Sequence, residues 1–361
     1  MSDRVAEESG GHGVGGIRDR AGVFTSDASK FGVAALMILV PLVLITTGTY
    51  VGYPSILILV LEVGVLYLLY SLVILGLNLQ YGFTGLVNFG PVLFFALGMY
   101  GTAILTAENA YRGASYGITW PIGLLGGILL AGIIGVVISL STVRLREDFL
   151  GIVTLAAAEI FHTATLTLGY LGSSFPISGS PRILHDATVT TKTAHLAYFL
   201  IYGAILLVAY TVANRLVKSP YGRTMRAIRA DDTLVESVGK NPMRYKIVVF
   251  TFGAILAGLA GGMFTLFGGS ANPTSAAIIV TMIVWVGMLI GGPGNNLGVL
   301  GGLAIVMGIQ LTTRWLNVYL PVSGSVFGSL RLIVLGALLI LIIRYKPEGL
   351  WGDADRLGRY E

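Results

Sequence analysis

Two carboxylates stand inside apolar runs where charge is costly. Glu62 lies between Val60-Leu61 and Val63-Gly64, and Glu159 lies three residues before His162 and four before Thr163. An ionisable side chain at membrane depth is a functional candidate by default, and an ion-coupled carrier would use such groups. The plainer reading is a carboxylate hydrogen-bonded inside a helix bundle, where it braces packing. A second group of chemically useful residues falls in Leu77 to Gly90, LNLQYGFTGLVNFG, which is uncharged and rich in glycine and amides. Asn78, Gln80, Tyr81, Thr84 and Asn88 could offer a zwitterion weak polar contacts, since tight binding would trap a cargo that must leave. The same residue types also serve as hydrogen-bonding groups between membrane helices. The glycine-rich GGPGNNLG (291–298) lacks the GK[ST] ending and so has no lysine for a phosphate. Four histidines are scattered and cysteine is absent, which leaves no thiolate metal site. No triad or paired-carboxylate hydrolase pattern occurs. The expectation is a chain with no catalytic residue, no metal and no cofactor of its own.

The elements that must position these residues are long and apolar. Hydrophobic residues make up 55% of the 361 and charged residues 11%, where soluble domains average about 25% charged. Runs of about 18 apolar residues with almost no charge are the signal for membrane helices, and they do not alternate as barrel strands would. Fifty glycines suit helices that approach closely or break beside a pathway. The sequence therefore predicts an all-α membrane protein, a polytopic helical bundle of about ten transmembrane helices with a broken or re-entrant segment. The spans fall near 32–49, 55–76, 91–107, 118–141, 149–169, 194–213, 247–268, 277–291, 297–312 and 329–344. Residues 1–31 read as a disordered polar tail, 32–346 as the membrane domain and 347–361 as a second tail. With both termini cytoplasmic, eighteen of the 23 Lys and Arg fall inside, as the positive-inside rule requires. The modest net charge of +5 then reflects orientation rather than nucleic-acid binding.

One cytoplasmic loop, 214–246, holds the most basic stretch, YGRTMRAIRADDTLVESVGKNPMRYK (Tyr221 to Lys246). Ser219 and Pro220 can open a helix as N-cap and first residue, and Gly239 can close it. Met225, Ile228, Val235 and Val238 fall within one stripe at helical spacing, with Arg223, Arg226 and Arg229 largely off it. Asp231 falls close to the stripe, so either the helix is imperfectly amphipathic or two short helices meet near Ala230. A loop that only fixes topology needs a few positive charges. It does not need caps, an apolar strip and acidic residues such as Asp232 and Glu236, which suit docking to a cytoplasmic partner.

This loop resembles the coupling loop of importer-type ABC permeases, and more narrowly the LivM-like branch of the branched-chain amino acid permease family. Leu75 to Gly90, FFALGMY (94–100), FLGIVTLAAAEIF (149–161), GGPGNNLGVLGG (291–302) and KPEGLWG (346–352) match family segments in family order. Asn88 and Pro91 depart from it, where members often carry a small residue and a histidine. The outer loop GSSFPISGSPRI (172–183) matches loosely. The resemblance implies a permease subunit driven by separate cytoplasmic ATP-binding subunits. It also implies a homologous second permease in a heterodimer and an extracytoplasmic substrate-binding protein, which the outer loop 170–194 could dock. The implied setting is the lipid of a prokaryotic cell membrane. Branched-chain or other hydrophobic amino acids are the implied cargo, with urea or short amides the alternative within the family. Under it, Arg223, Arg226, Arg229, Asp232, Glu236 and Gly239 form the handle the ATPases move. The rival classes are an ion-coupled carrier using Glu62 or Glu159, and a structural membrane scaffold.

Overall fold

The computed structural model describes residues 56–107, 116–142, 147–167, 177–178, 180–182, 191–319 and 324–352. The expected first span, 32–49, the tail 1–31, residues 353–361 and most of the outer loop lie outside these. Among the described residues the helices are α1 (Ile56–Leu77), α2 (Pro91–Thr106), α3 (Trp120–Thr142), α4 (Glu147–Thr167), α5 (Thr191–Lys218), α6 (Pro220–Ala230), α7 (Asp232–Ser237), α8 (Pro242–Gly268), α9 (Ile279–Gly291), α10 (Asn296–Tyr319) and α11 (Gly324–Tyr345). Nine of them coincide with the second to tenth expected spans, and α6 and α7 form the loop 214–246. Among the described residues seven helical stretches are long and apolar enough to cross a membrane, and α2 and α10 carry shorter apolar stretches.

α8 is the hub. It packs on α2, α3 and α1, while α5 lies on α1, and the pair α9 and α10 closes against α1. α11 covers α10 and α9. Close approach rests on small residues. α3 buries Gly123, Gly127, Ala131, Gly135 and Ser139, one every fourth position, and turns Leu125, Leu129 and Ile133 outward. Lipid tails accept leucine as readily as a neighbouring helix does, so packing depth decides which face goes inside. A Cβ at Gly76 would lie 3.0 Å from the Gly253 backbone, and one at Gly101 3.0 Å from Gly127 Cα.

α1 does not run into a loop. It widens into a π-helical turn over Asn78–Phe83, after which the chain is irregular from Gly85 to Gly90. Gly85 takes φ +76°, a conformation glycine adopts without strain. Pro91, with no N–H to leave unpaired, starts α2. At the far end of α8, Gly269 (φ +70°) closes the helix, and Arg182 donates to the Gly268 carbonyl at 3.1 and 3.2 Å. There Ile177–Ser178 (β1) and Ser270–Ala271 (β2) form a two-residue antiparallel ladder. It is too short to alter the all-α class.

Candidate functional site

The broken segment is held by its own amides. Asn78 donates to Asn296 Oδ1 at 2.7 Å and accepts from Gly294 N at 2.8 Å. Asn296 in turn donates to Asn214 Oδ1 at 2.8 Å, so three amides tie the π-turn to α10 and α5. Gln80 donates to the Phe250 carbonyl of α8 at 2.9 Å and accepts from Asn88 at 2.8 Å. Thr84 Oγ1 donates to the Gln80 carbonyl at 2.5 Å, and Asn88 Oδ1 caps Gly90 N at 2.8 Å. Trp285 of α9 donates to the Asn88 carbonyl at 2.9 Å. Irregular backbone at membrane depth needs such partners, because no water is at hand to replace them.

Of the five residues expected to face a pathway, Asn78, Gln80, Thr84 and Asn88 are therefore buried and turned toward protein groups. Tyr81 is only partly buried; its ring lies 5.0 Å from that of Trp285, which also meets Phe89 at 4.7 Å. Sequence reasoning missed Asn214, Gly294, Asn296 and Trp285. Two signals were available: Asn214 and Asn296 each sit at an end of an apolar run, and Gly294 and Asn296 lie in the glycine-rich GGPGNNLG (291–298).

The loop 214–246 forms as its caps dictate. Ser219 Oγ accepts from Gly222 N at 3.4 Å and Pro220 is the first residue of α6. The helix breaks after Ala230, where Asp231 turns extended and caps α7 through Thr233 N at 2.8 Å and Thr233 Oγ1 at 2.5 Å. Those bonds hold the Asp231 carboxyl below the usual carboxylate range. Gly239 closes the unit at φ +77°. The two-helix alternative is the one that forms.

The apolar strip differs from expectation. Met225, Ile228 and Val235 are buried within this chain, Met225 in one apolar cluster with Leu79, Phe83, Ala213, Val217 and Val249. Val238 is 70% exposed and Leu234 64%, so these two carry the free apolar surface. Most of the strip is thus used to seat the loop on its own membrane domain, because the break at Asp231 rotates α7 relative to α6. Further contacts fix that seat. Asp232 pairs with Lys246, Lys240 Nζ donates to Thr224 Oγ1 at 2.9 Å, and the Tyr221 and Tyr245 rings lie 4.5 Å apart. Burial, and secondarily Tyr245, pushes the Tyr221 phenol up to about 12. Arg223, Arg226, Glu236 and Gly239 remain exposed.

Arg229 turns the other way. Its guanidinium donates to the Gly82 carbonyl inside the π-turn and lies 5.8 Å from the centre of the Tyr81 ring. This side chain therefore adds a polar link between the α6–α7 pair and the broken segment, beside the apolar cluster of Met225 with Leu79 and Phe83.

The two membrane carboxylates separate. Glu62 is partly buried on α1. Glu159 does not brace the bundle from within. Its side chain is 54% exposed on the outer face of α4, 3.5 Å from His162 Nδ1. Among the described residues no three His, Cys, Asp or Glu come together as a metal site.

Residues 58–343 match the family model described as the branched-chain amino acid transport system permease component. The chain is 30% identical over 312 residues to the high-affinity branched-chain amino acid transport system permease protein LivM of Escherichia coli K12, covering 80% of this chain and 69% of that one. It is 29% identical to a probable LivM of Methanocaldococcus jannaschii, covering 78% of this chain and 90% of that one. It is 25% identical to LivH of E. coli K12, covering 79% and 92%. No solved structure matches. With a multi-pass helical membrane domain, a helix pair seated on it and a family match across most of its length, the chain belongs to the permease components of branched-chain amino acid transport systems.

Proposed function

We propose that this chain is the translocation subunit of a binding-protein-dependent ABC importer that moves branched-chain or other hydrophobic amino acids inward across a prokaryotic cell membrane. It is not itself an enzyme, and ATP is hydrolysed on separate cytoplasmic ATP-binding subunits. A homologous second permease completes a heterodimer, and an extracytoplasmic binding protein delivers the cargo. Both termini and the loop 214–246 are cytoplasmic in this reading. The observation that carries it is the bond from Arg229 to the Gly82 carbonyl, with the guanidinium against Tyr81. A push on the exposed face of α6 and α7 reaches the broken segment through that side chain. The cargo assignment rests on the names of the relatives, LivM and LivH.

The test is energetic. Vesicles holding the complete complex and the binding protein should take up leucine only with ATP. Uptake by this chain alone, driven by a proton or sodium gradient, would overturn the reading in favour of a carrier. Uptake of urea or acetamide in place of leucine would move the cargo to short amides. Replacing exposed Glu236 or Gly239 with Trp should leave assembly and ATP hydrolysis intact while uptake falls. Gly239 is the more severe case, because its φ of +77° strains any side chain.

A further inference from the structure

Among the described side chains of α11, only Leu335 and Ile342 are buried. The chain that follows is held far more closely. Residues 346–352 turn back onto the loop between α9 and α10. Leu350 N donates to the Ile290 carbonyl at 2.8 Å and Trp351 N to the Gly291 carbonyl at 3.2 Å, which satisfies two carbonyls at the end of α9. The Trp351 side chain is 7% exposed and lies over Gly298 and Gly301 of α10; a Cβ at Gly301 would come within 3.1 Å of its ring. Gly349 crosses so close that a Cβ there would collide with Gly292 Cα. Asn295 ties the two segments together. Its Oδ1 accepts from Leu297 N and Gly298 N, each at 3.1 Å, and so caps α10, while its Nδ2 donates to the Trp351 carbonyl at 2.9 Å.

The same turn also meets the junction at Gly82. Gly294 N donates to Asn78 Oδ1 at 2.8 Å. A Cβ at Gly294 would lie 3.2 Å from the Gly82 carbonyl oxygen and 3.7 Å from Arg229 Nη1. Residues 292–295 are thus held by residues 346–352 and lie against the π-turn and Arg229. A short turn that contains Gly292 and Gly294 has little stiffness of its own, because glycine leaves the backbone the most freedom. We infer that residues 346–352 are a strap that positions this turn as the abutment of the junction, with Trp351 and Asn295 as the positioning residues. With the turn held, a movement of Arg229 displaces the π-turn together with α9 and α10. With the turn slack, the movement is absorbed within it. The inference rests on the proposed push through Arg229 and adds the part that bears against it.

The test reads leucine taken up per ATP hydrolysed, in vesicles holding the complete complex and the binding protein. Asn295→Asp keeps the oxygen that caps α10 and puts a second oxygen where the donor to Trp351 was, so it loosens the strap without opening a cavity. It should lower the ratio about twofold to tenfold, the scale of one hydrogen bond. Trp351→Ala empties the slot over Gly301 and should lower the ratio further, while Trp351→Phe, which keeps a ring there, should restore most of it. Either change made in Arg229→Ala should add little, because the strap acts through that junction. A purely structural role reads differently: the thermal midpoint falls, hydrolysis and uptake fall together, and the ratio stays. That result, or full additivity with Arg229→Ala, would overturn the inference. If Trp351→Ala does not assemble, Asn295→Asp decides. The two readings fail separately. An unchanged ratio in Arg229→Ala sinks the junction and the strap with it, whereas a lowered ratio there beside a wild-type ratio in Asn295→Asp and Trp351→Ala sinks only the strap.

Discussion

Asn78 holds three parts of the molecule together through one amide, and its partners Gly294 and Asn296 lie more than 200 residues away in sequence. Leucine at 78 would remove both bonds while keeping the branch point and the number of heavy atoms. Leaving buried polar groups short of a partner costs about 1–3 kcal/mol each. Asn78→Leu should therefore lower the thermal unfolding midpoint of the purified complex in detergent. A residue that only touches cargo behaves differently: unfolding stays put while the KM for uptake moves. An unchanged midpoint with a raised KM would return Asn78 to the pathway. The sequence marked Asn78, Gln80, Thr84 and Asn88 as polar groups in an apolar setting, and that much was legible. Which way they face was not, because hydrogen bonding and cargo contact call for the same side chains. The direction is decided by partners such as Asn296 and Phe250, which only the folded chain brings near.

Helix existence was legible because apolar runs are. Helix length was less so: α5 runs on to Lys218 and α8 begins at Pro242, past the limits of the greasy runs. Hydropathy measures the stretch that lipid accepts, while the backbone stays helical into water where caps such as Asn241 allow it. The α6–α7 pair shows the same division. Its caps were readable one residue at a time, but the seating of Met225 on Leu79 and Phe83 was not, since it depends on where α1 ends. Asp231 sets a pH limit on α7. A folded pKa held below the unfolded value contributes stability that is fully present above the unfolded pKa of about 4. That contribution is lost as pH falls through the lower folded value. Hydrogen exchange at the α7 amides should speed up as pH drops below about 4, after correction for intrinsic rates. Asp231→Ala should show the fast rate at neutral pH, and Asp231→Asn, still a good cap, should remove most of the pH dependence. Wild-type rates in Asp231→Ala would show that packing, not the cap, holds α7.

Across the whole molecule the contacts form one continuous mechanical line. The exposed face of α6 and α7 is braced to α8 by the Asp232–Lys246 pair and the Tyr221–Tyr245 stack. Arg229 carries that unit to the Gly82 carbonyl, and the π-turn passes it on, through Asn78 to α10 and through Gln80 to α8. Contiguity alone does not establish coupling; a variant that breaks the line must change what is transmitted. Arg229 is the polar link at this junction, beside the apolar packing of Met225 with Leu79 and Phe83. A hydrogen bond from a charged donor contributes about 1.5–3 kcal/mol, so Arg229→Ala should cut ATP-driven uptake roughly tenfold or more. The ATPase subunits should stay bound, because Arg223, Arg226, Glu236 and Val238 still offer their surface, and hydrolysis should continue. Arg229→Lys should fall between, since an ammonium keeps the charge but loses the planar fork that meets a carbonyl and a ring together. Tyr81→Leu tests the same junction from the membrane side, and combined with Arg229→Ala it should cost less than the sum of the two. If Arg229→Ala imports at the wild-type rate per ATP hydrolysed, the push travels another way, through the Met225 packing, and the junction at Gly82 is only a fastening.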